Sequence, residues 1–475
     1  MKSAAFELAG AARYATLREQ LREAGASSVQ DGAVHLSELE LQSLWFAGAL
    51  GRQFVTTAGQ QVEVTQFGHW NHSAGPDFTD AAVCVDGKEV QRGAIELDPD
   101  VRDWERHGHG ENPQYEDVVL HVFFETGPEQ FYTRTLNHRE VPQVRLELEN
   151  FEELGTHSYV PADAHLGRCS YTFTELDDGR IHTLLEAAAQ FRLERKAKRL
   201  NRVREIHGID QALFQGLAEA LGYRNNALPM RVLSQRAPLS LLQTRDGTQA
   251  IDALLFGLAG FLEGERHVES DSESTTAYQC SLWSLWWQDR NDWAPLASRP
   301  LPWMTVGVRP QNHPQRRLGA LTHLVARWKQ LARQALGAQF DLKLTEDFLT
   351  GLTHPYWNQH YTLRAASAKP LALIGASRAR DIVANQILPL RFQDDPQATW
   401  STYQSLSASQ SNEKIKRATI RLFGEHPRQR VFLKKAYHQQ ALLQIYDDFC
   451  LEDDSGCVHC PFPEQLWKMN DATND

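Results

Sequence analysis

The 475-residue chain holds only 6 cysteines and 4 methionines, and it lacks the apolar run of ~18 residues that a membrane-spanning helix needs. Cysteines this sparse cannot build a disulfide scaffold. Positive charge is also short. Its 49 Lys and Arg face 60 Asp and Glu, a net charge of −11. No uniformly basic surface can gather nucleic acid or anionic lipid, and any nucleic-acid contact has to be local. The opening MKSAAFELAGAARYATLREQ carries Glu7, Arg13, Arg18 and Glu19 where a secretory leader needs apolar residues. The expectation is a cytoplasmic chain with no membrane partner. There is no repeat of fixed period and no low-complexity tract beyond the polar run at 270–276, which excludes a solenoid or a disordered chain. What is present is apolar mass: 42% hydrophobic residues over a length of two or three domains fill real cores.

Residues 1–34 read as a loosely anchored helical leader. Ser37 and Glu40 form a capping box ahead of LELQSLWFAGAL, where Leu41, Leu44, Trp45 and Leu50 share one face, so a packed helix is predicted over 38–50. The period then changes to alternation. Strands are predicted over 61–67, 78–85, 88–97, 118–125 and 141–149, with Asp86-Gly87 turning a hairpin. Residues 35–160 are thus an α+β domain, a helix followed by a twisted meander. From Glu175 onward a 3.6-residue period dominates, as in 181–206, 211–223, 317–336 and 379–393, so 161–445 is an all-helical domain. A Cys-rich tail, 446–475, closes the chain.

Chemistry-bearing residues concentrate between Gly68 and Val122. Gly75-Pro76-Asp77-Phe78 heads one strand, and Gly93-Ala94-Ile95-Glu96-Leu97-Asp98 ends the next. With the right register, a hairpin between them brings Asp77 and Glu96 to the same end or centre of the sheet. Such a carboxylate pair suits Mg²⁺ or Mn²⁺, which fill their remaining positions with water or phosphate and serve phosphodiester hydrolysis. His107-Gly108-His109 and His121 follow closely, and an imidazole near an activated water is a general base. The purely structural alternative is a turn capped by Asp77 with histidines bonded to backbone carbonyls.

Three of the six cysteines crowd the end of the chain. Cys450, Cys457 and Cys460, with Cys169 from the linker or His459 as fourth ligand, have the spacing of a Zn²⁺ or [4Fe–4S] site, whereas Cys84 and Cys280 read as core residues. The segment 192–204 carries Arg192, Arg195, Lys196, Lys198, Arg199, Arg202 and Arg204 on one helix, a stripe able to grip phosphates and extended by Arg316, Arg317, Arg327 and Lys329. A solvated face paired with acids is its plain alternative. Trp283, Trp286, Trp287 and Trp293 read as packing between helices rather than a platform for bases.

Pro76-Asp77 with Glu96-Leu97-Asp98 resembles the signature of restriction-endonuclease-like nucleases, Pro-Asp … (Asp/Glu)-x-Lys, in which a preceding helix carries another acid, here Glu38 or Glu40. That resemblance implies a restriction-endonuclease-like mixed sheet and metal-dependent cleavage of DNA or RNA. Asp98 stands where that group places the Lys that stabilises developing negative charge, and Lys88 or Arg92 would have to replace it. The cysteine layout is similar to that of nucleases in which an iron–sulfur cluster staples the chain ends.

More of the chain resembles an uncharacterised bacterial family, the domain of unknown function 2851 group. The resemblance is carried by Gly75-Pro76-Asp77-Phe78, Glu96, Asp103-Trp104, His107-Gly108-His109, Tyr115, Leu120-His121-Val122, 253–257, 260–264, 309–314 and the terminal Tyr446, Cys450, Cys457-Val458-His459-Cys460. It covers the chain from about residue 35 and implies no established activity. The resulting expectation is a nuclease-like α+β domain followed by an all-helical domain with a terminal cysteine metal site. Asp77 and Glu96 would hold Mg²⁺ or Mn²⁺, with Asp98, His107, His109 and His121 around them, and the chain would cleave or bind nucleic acid. The alternatives are a non-catalytic scaffold and a zinc hydrolase using His107, His109 and His121 as ligands and Glu96 as base. Protein partners are not legible.

Overall fold

In a computed structural model, residues 8–25, 37–71, 75–124, 131–146, 166–263, 272–297, 299–409, 413–450, 457 and 460–471 are described. The N-terminal helix α1 (Ala9–Gly25) precedes α2 (Glu38–Phe46), whose capping box forms as the sequence predicts, with Ser37 Oγ accepting from Glu40 N and Glu40 returning a bond to Ser37 N. Among the described residues seven strands follow: β1 (Gln53–Val55), β2 (Gln61–Gln66), β3 (His69–Trp70), β4 (Phe78–Val85), β5 (Gln91–Leu97), β6 (Val118–Phe123) and β7 (Gln143–Arg145). They form one sheet in the order β1-β2-β4-β5-β6-β7, with β3 also beside β4.

The sheet is mixed rather than a meander. Pairing is antiparallel up to β4–β5, whereas β5–β6 and β6–β7 are parallel. Parallel neighbours need a crossover, and residues 98–117, including the one-turn helix α3 (Asp103–Arg106), supply it between β5 and β6. Gly93 permits the approach of that crossover strand: a Cβ there would lie 2.0 Å from the Asp117 carbonyl oxygen. The sheet curls until its two ends nearly meet, Thr57 N donating to Gln143 O at 2.9 Å.

One face of the sheet packs under α2, with Leu41, Trp45 and Phe46 buried against Val64, Phe67, Val83, Ile95, Leu120 and Val122. A smaller cluster on the crossover side holds Trp104, Tyr115, Val118 and Val141. After the sheet the chain is helical: α4 (Cys169–Glu175), the long α5 (Asp178–His207), α6 (Ile209–Leu221), α7 (Ala227–Arg236), and further helices including Glu273–Ala297, Glu413–Phe423 and Ala436–Phe449. No described helix is long and apolar enough to cross a membrane.

The expected leader is docked. Leu8, Ala11, Tyr14, Leu17 and Leu21 of α1 and the residue before it join the core of the helical region, and Asp448 accepts from Tyr14 Oη (3.0 Å) and Arg18 Nε (2.9 Å). Helix α2 is wedged between sheet and helices. Arg231 of α7 donates to Ser43 Oγ at 3.0 Å, and the His207 ring stacks on Phe46 at 3.8 Å.

Candidate active-site cleft

The β4–β5 register places Phe78 opposite Ile95, so Asp77 and Glu96 face each other at one end of the hairpin, as the sequence predicts. Each carboxylate is held by the other strand's backbone. Asp77 N donates to Glu96 Oε2 at 2.9 Å, and Leu97 N donates to Asp77 Oδ2 at 3.3 Å. Asp77 Oδ1 accepts from Gln42 Nε2 at 2.7 Å and from the Arg299 guanidinium at 2.9 Å, and Gln42 also donates to Glu38 Oε1 at 2.8 Å. Of the two acids on α2, Glu38 therefore faces this cluster, while Glu40 is spent on the capping box.

Beyond β5, Asp98 and the crossover complete the cluster. Gly108, at φ +74°, turns the chain between His107 and His109 so that both rings face Asp98. His107 Nδ1 lies 3.7 Å from Asp98 Oδ1, and His109 Nδ1 lies 3.9 Å from Asp98 Oδ2 and 3.5 Å from Glu96 Oε1. Ligand atoms of Asp98, His107 and His109 all lie within 4.8 Å of one another. Tyr115 stacks on His109 at 4.1 Å, and the buried Trp104 ring stands edge-on to both, its Nε1 donating to Arg134 O at 3.0 Å.

A cleft of about 470 Å³ opens over these groups, walled by Glu38, Gln42, Glu96, Asp98, His107, His109, Tyr115, Arg236 and Arg299. Asp77 lies beneath this wall, its oxygens taken by Gln42, Arg299 and Leu97. His121 is fully buried behind Asp98, between Thr133 Oγ1 (2.6 Å) and Asp98 Oδ2 (3.2 Å). It positions Asp98 and does not face the cleft.

Charge is crowded here. Burial first, then the charges of Asp77 and Asp98, pushes the Glu96 carboxyl well above its usual range. Burial and the Asp77 charge push Asp98 up to about 7, and the same two causes raise Glu38. Asp77 is raised by burial despite Arg299. Burial and the neighbouring His107 lower His109 to about 4, and burial lowers His121 to about 3, so both rings are neutral near pH 7. Among the described residues His109 Nδ1 is buried without a hydrogen-bond partner. Carboxyls this close cannot all ionise without a cation, and a neutral imidazole with a bare nitrogen is an available ligand.

Arg299 is the residue that sequence reasoning missed. It follows the helix Glu273–Ala297 and is 222 positions from Asp77, and nothing local marks it. Arg236 fixes its backbone, donating to Arg299 O at 2.9 Å. Gln42 was not singled out either, although its place one helical turn from Glu38 on the same face is a signal that could have found it. The expected substitutes for the missing Lys do not reach the cleft. Lys88 pairs with Asp86 at the opposite end of the hairpin, and Arg92 is exposed and opposite Ala82.

Much of the basic stripe on α5 is paired within the protein. Arg192 donates to Gln440, Gln444 and Asp447, Lys196 to Asn385 and Gln440, Arg199 to Glu219, and Arg204 to Asp394. Arg195 lies over the Phe191 ring, and Lys198 and Arg202 also have partners. α5 is a central strut packed by α1, α6 and Ala436–Phe449, so Arg192, Lys196, Arg199 and Arg204 meet protein acids and amides, while Lys198 is exposed. Arg316 and Arg317 are buried too, donating to the carbonyls of Leu371, Ala372 and Leu373. Trp286 packs over Gly257 as an inter-helix residue, whereas Trp287 is 44% exposed beneath Arg290.

Cys169, Cys450 and Cys457 are buried and Cys460 half-buried; Cys84 and Cys280, expected in the core, are only half-buried. His459 lies outside the described residues.

These features define an α+β protein with an acid- and histidine-walled cleft between a mixed sheet and a helical body. The chain belongs to the family described as "Protein of unknown function (DUF2851)", whose model matches residues 38–416. No curated protein and no solved structure matches it.

Proposed function

We propose that the chain is a divalent-metal-dependent phosphodiester hydrolase, with nucleic acid as its substrate class, built on a restriction-endonuclease-like arrangement of Glu38, Asp77 and Glu96. The observation that carries this reading is the convergence of Asp98, His107 and His109 beside Glu96 on an open cleft. The mixed oxygen and nitrogen donors suit Mn²⁺ or Zn²⁺ better than Mg²⁺. A bound cation supplies Lewis acidity toward a phosphoryl oxygen. Glu96, whose Oε1 faces His109, takes the proton of the attacking water. Arg299, anchored by Asp77 and 42% exposed, meets the anionic substrate and takes the part of the missing Lys. With His121 turned inward, a three-histidine zinc site is replaced by two histidines and Asp98.

The test is cleavage of a bis-nitrophenyl phosphate, plasmid, single-stranded DNA and RNA with Mn²⁺, Zn²⁺ or Mg²⁺ in turn. At least one substrate is expected to be cut, and Glu96→Gln to lower the rate by about 10²-fold or more. Intact substrates under every metal, or equal rates for wild type and variant, overturn the reading.

A further inference from the structure

Two stretches without acids meet at one wall of the cleft. Residues 293–340 carry seven Lys or Arg, Arg299 and Arg309 among them, and not one Asp or Glu, in a chain where acids make up 60 of 475 residues. Residues 220–245 are likewise free of acid and carry four Arg, including Arg224 and Arg236. The two are tied together. Arg236 donates to Arg299 O at 2.9 Å, and the buried Asn226 donates from Nδ2 to Met304 O at 2.9 Å while its Oδ1 accepts from Met304 N at 2.8 Å. Arg236, Arg299 and Pro300 belong to the wall of the cleft itself.

From Pro300 the chain leaves the cleft as an arm, residues 301–312, that is held at several points. Leu301 is buried, Trp303 Nε1 donates to Ala259 O at 2.8 Å, Met304 is fixed by Asn226, and Arg317 donates to Gln311 O. Arg317 is itself buried, so it anchors the arm and is no part of its surface. What the arm turns outward is Met304 (48% exposed), Val306 (84% exposed) and Arg309, which is exposed and among the described residues meets no acid. Arg224, also exposed, stands two residues before Asn226.

We propose that this arm is the track of a single nucleic-acid strand whose scissile phosphodiester lies in the cleft, an inference that rests on the hydrolase reading and gives its substrate a form. Arg299 meets the phosphate at the cleft, and Arg309, with Arg224 beside the arm, meets phosphates further along. On a chain of net charge −11 such a grip has to be local, and an acid-free wall continuous with the cleft supplies it. Two features favour a single strand over a duplex. A cleft of about 470 Å³ has the size of a small-molecule site and takes one unstacked nucleotide, not a stacked pair. Met304 and Val306 offer an apolar contact to splayed bases, which a duplex keeps inside.

The full chain, free of divalent metal, is titrated with a fluorescent single strand of about 12 nucleotides at several salt concentrations, and binding is read by anisotropy. Affinity is expected to fall with salt. Arg309→Ala is expected to weaken binding at least about threefold and to lower the log–log salt slope by about 0.7, one phosphate contact. Lys88→Ala, at the far end of the hairpin, is expected to change neither. Equal affinity and slope in Arg309→Ala overturn the track, as does a wild type that binds no strand even at low salt. A duplex, or a vesicle of anionic lipid, bound more tightly than the strand overturns the choice of partner. Hydrolysis of bis-nitrophenyl phosphate, which has no flanking nucleotides, keeps the two readings apart. A chain that cuts it but holds no strand loses the track alone, whereas one that holds the strand and cuts nothing loses the hydrolase reading alone.

Discussion

Gly93 and Asp77 make opposite demands on the same hairpin. Gly93 must be bare because β6 passes over it, with the Asp117 carbonyl oxygen 2.0 Å from where a Cβ would stand. Gly93→Ala is expected to destabilise the chain by about 1–3 kcal/mol through forced separation of β5 and β6, seen as a lower midpoint in chemical denaturation; an unchanged midpoint would mean that the strands are not so tightly joined. Asp77 must be dressed. Its carboxylate is satisfied by Gln42, Leu97 N and Arg299, so Asp77→Ala is expected to leave Arg299 untethered and raise the KM for an anionic substrate more than it lowers metal affinity, measured by steady-state kinetics beside Mn²⁺ titration. The Asp77–Glu96 juxtaposition was legible because strand period and a tight turn fix it locally. Arg299 was not, because proximity across 222 positions leaves no local trace.

At the scale of elements, α2 shows how a locally coded helix gains its place from distant partners. Ser37, Glu40 and the apolar face of Leu41, Leu44 and Trp45 set its start and its buried side. Its opposite contact, with α5, depends on His207, which stacks on Phe46 and donates from Nε2 to Phe46 O at 2.9 Å. Burial lowers the His207 ring to about 4, so the folded chain keeps it neutral. The unfolded chain protonates it below about 6.5, and this contribution to stability is therefore present above about pH 6.5 and lost as pH falls toward about 4. The melting temperature of wild type is expected to fall more between about pH 7.5 and 5 than that of His207→Gln; parallel curves would remove His207 as the source. Parallel pairing of β6 and β7 escaped sequence reading because strand period reports a face and not a direction. The α5 stripe was misleading for a related reason. Composition shows seven cations, but Glu219, Asp394 and Asp447, which neutralise several of them, come from α6, from the turn at 393–394 and from Ala436–Phe449.

For the whole molecule, the helical region is closed by its two ends. α1 buries Tyr14, Leu17 and Leu21 in the same core as Ala436–Phe449, with Asp448 receiving both Tyr14 and Arg18. Deleting residues 1–25 is expected to expose that apolar face and lower the melting temperature by at least about 5 °C, read by differential scanning fluorimetry. A loss of less than about 1 °C would return α1 to the loosely held leader that composition suggests.

Because the guanidinium at the cleft belongs to a segment translated long after the sheet, a nascent chain can complete its strands while its acids still lack their built-in counter-charge. Ribosomal release of residue 299, and the seating of its backbone on Arg236, finish the electrostatics. A proteolytic fragment that stops short of that point would lack the guanidinium that pairs with Asp77, so the charge balance of the cleft is a property of the longer polypeptide and not of its first third.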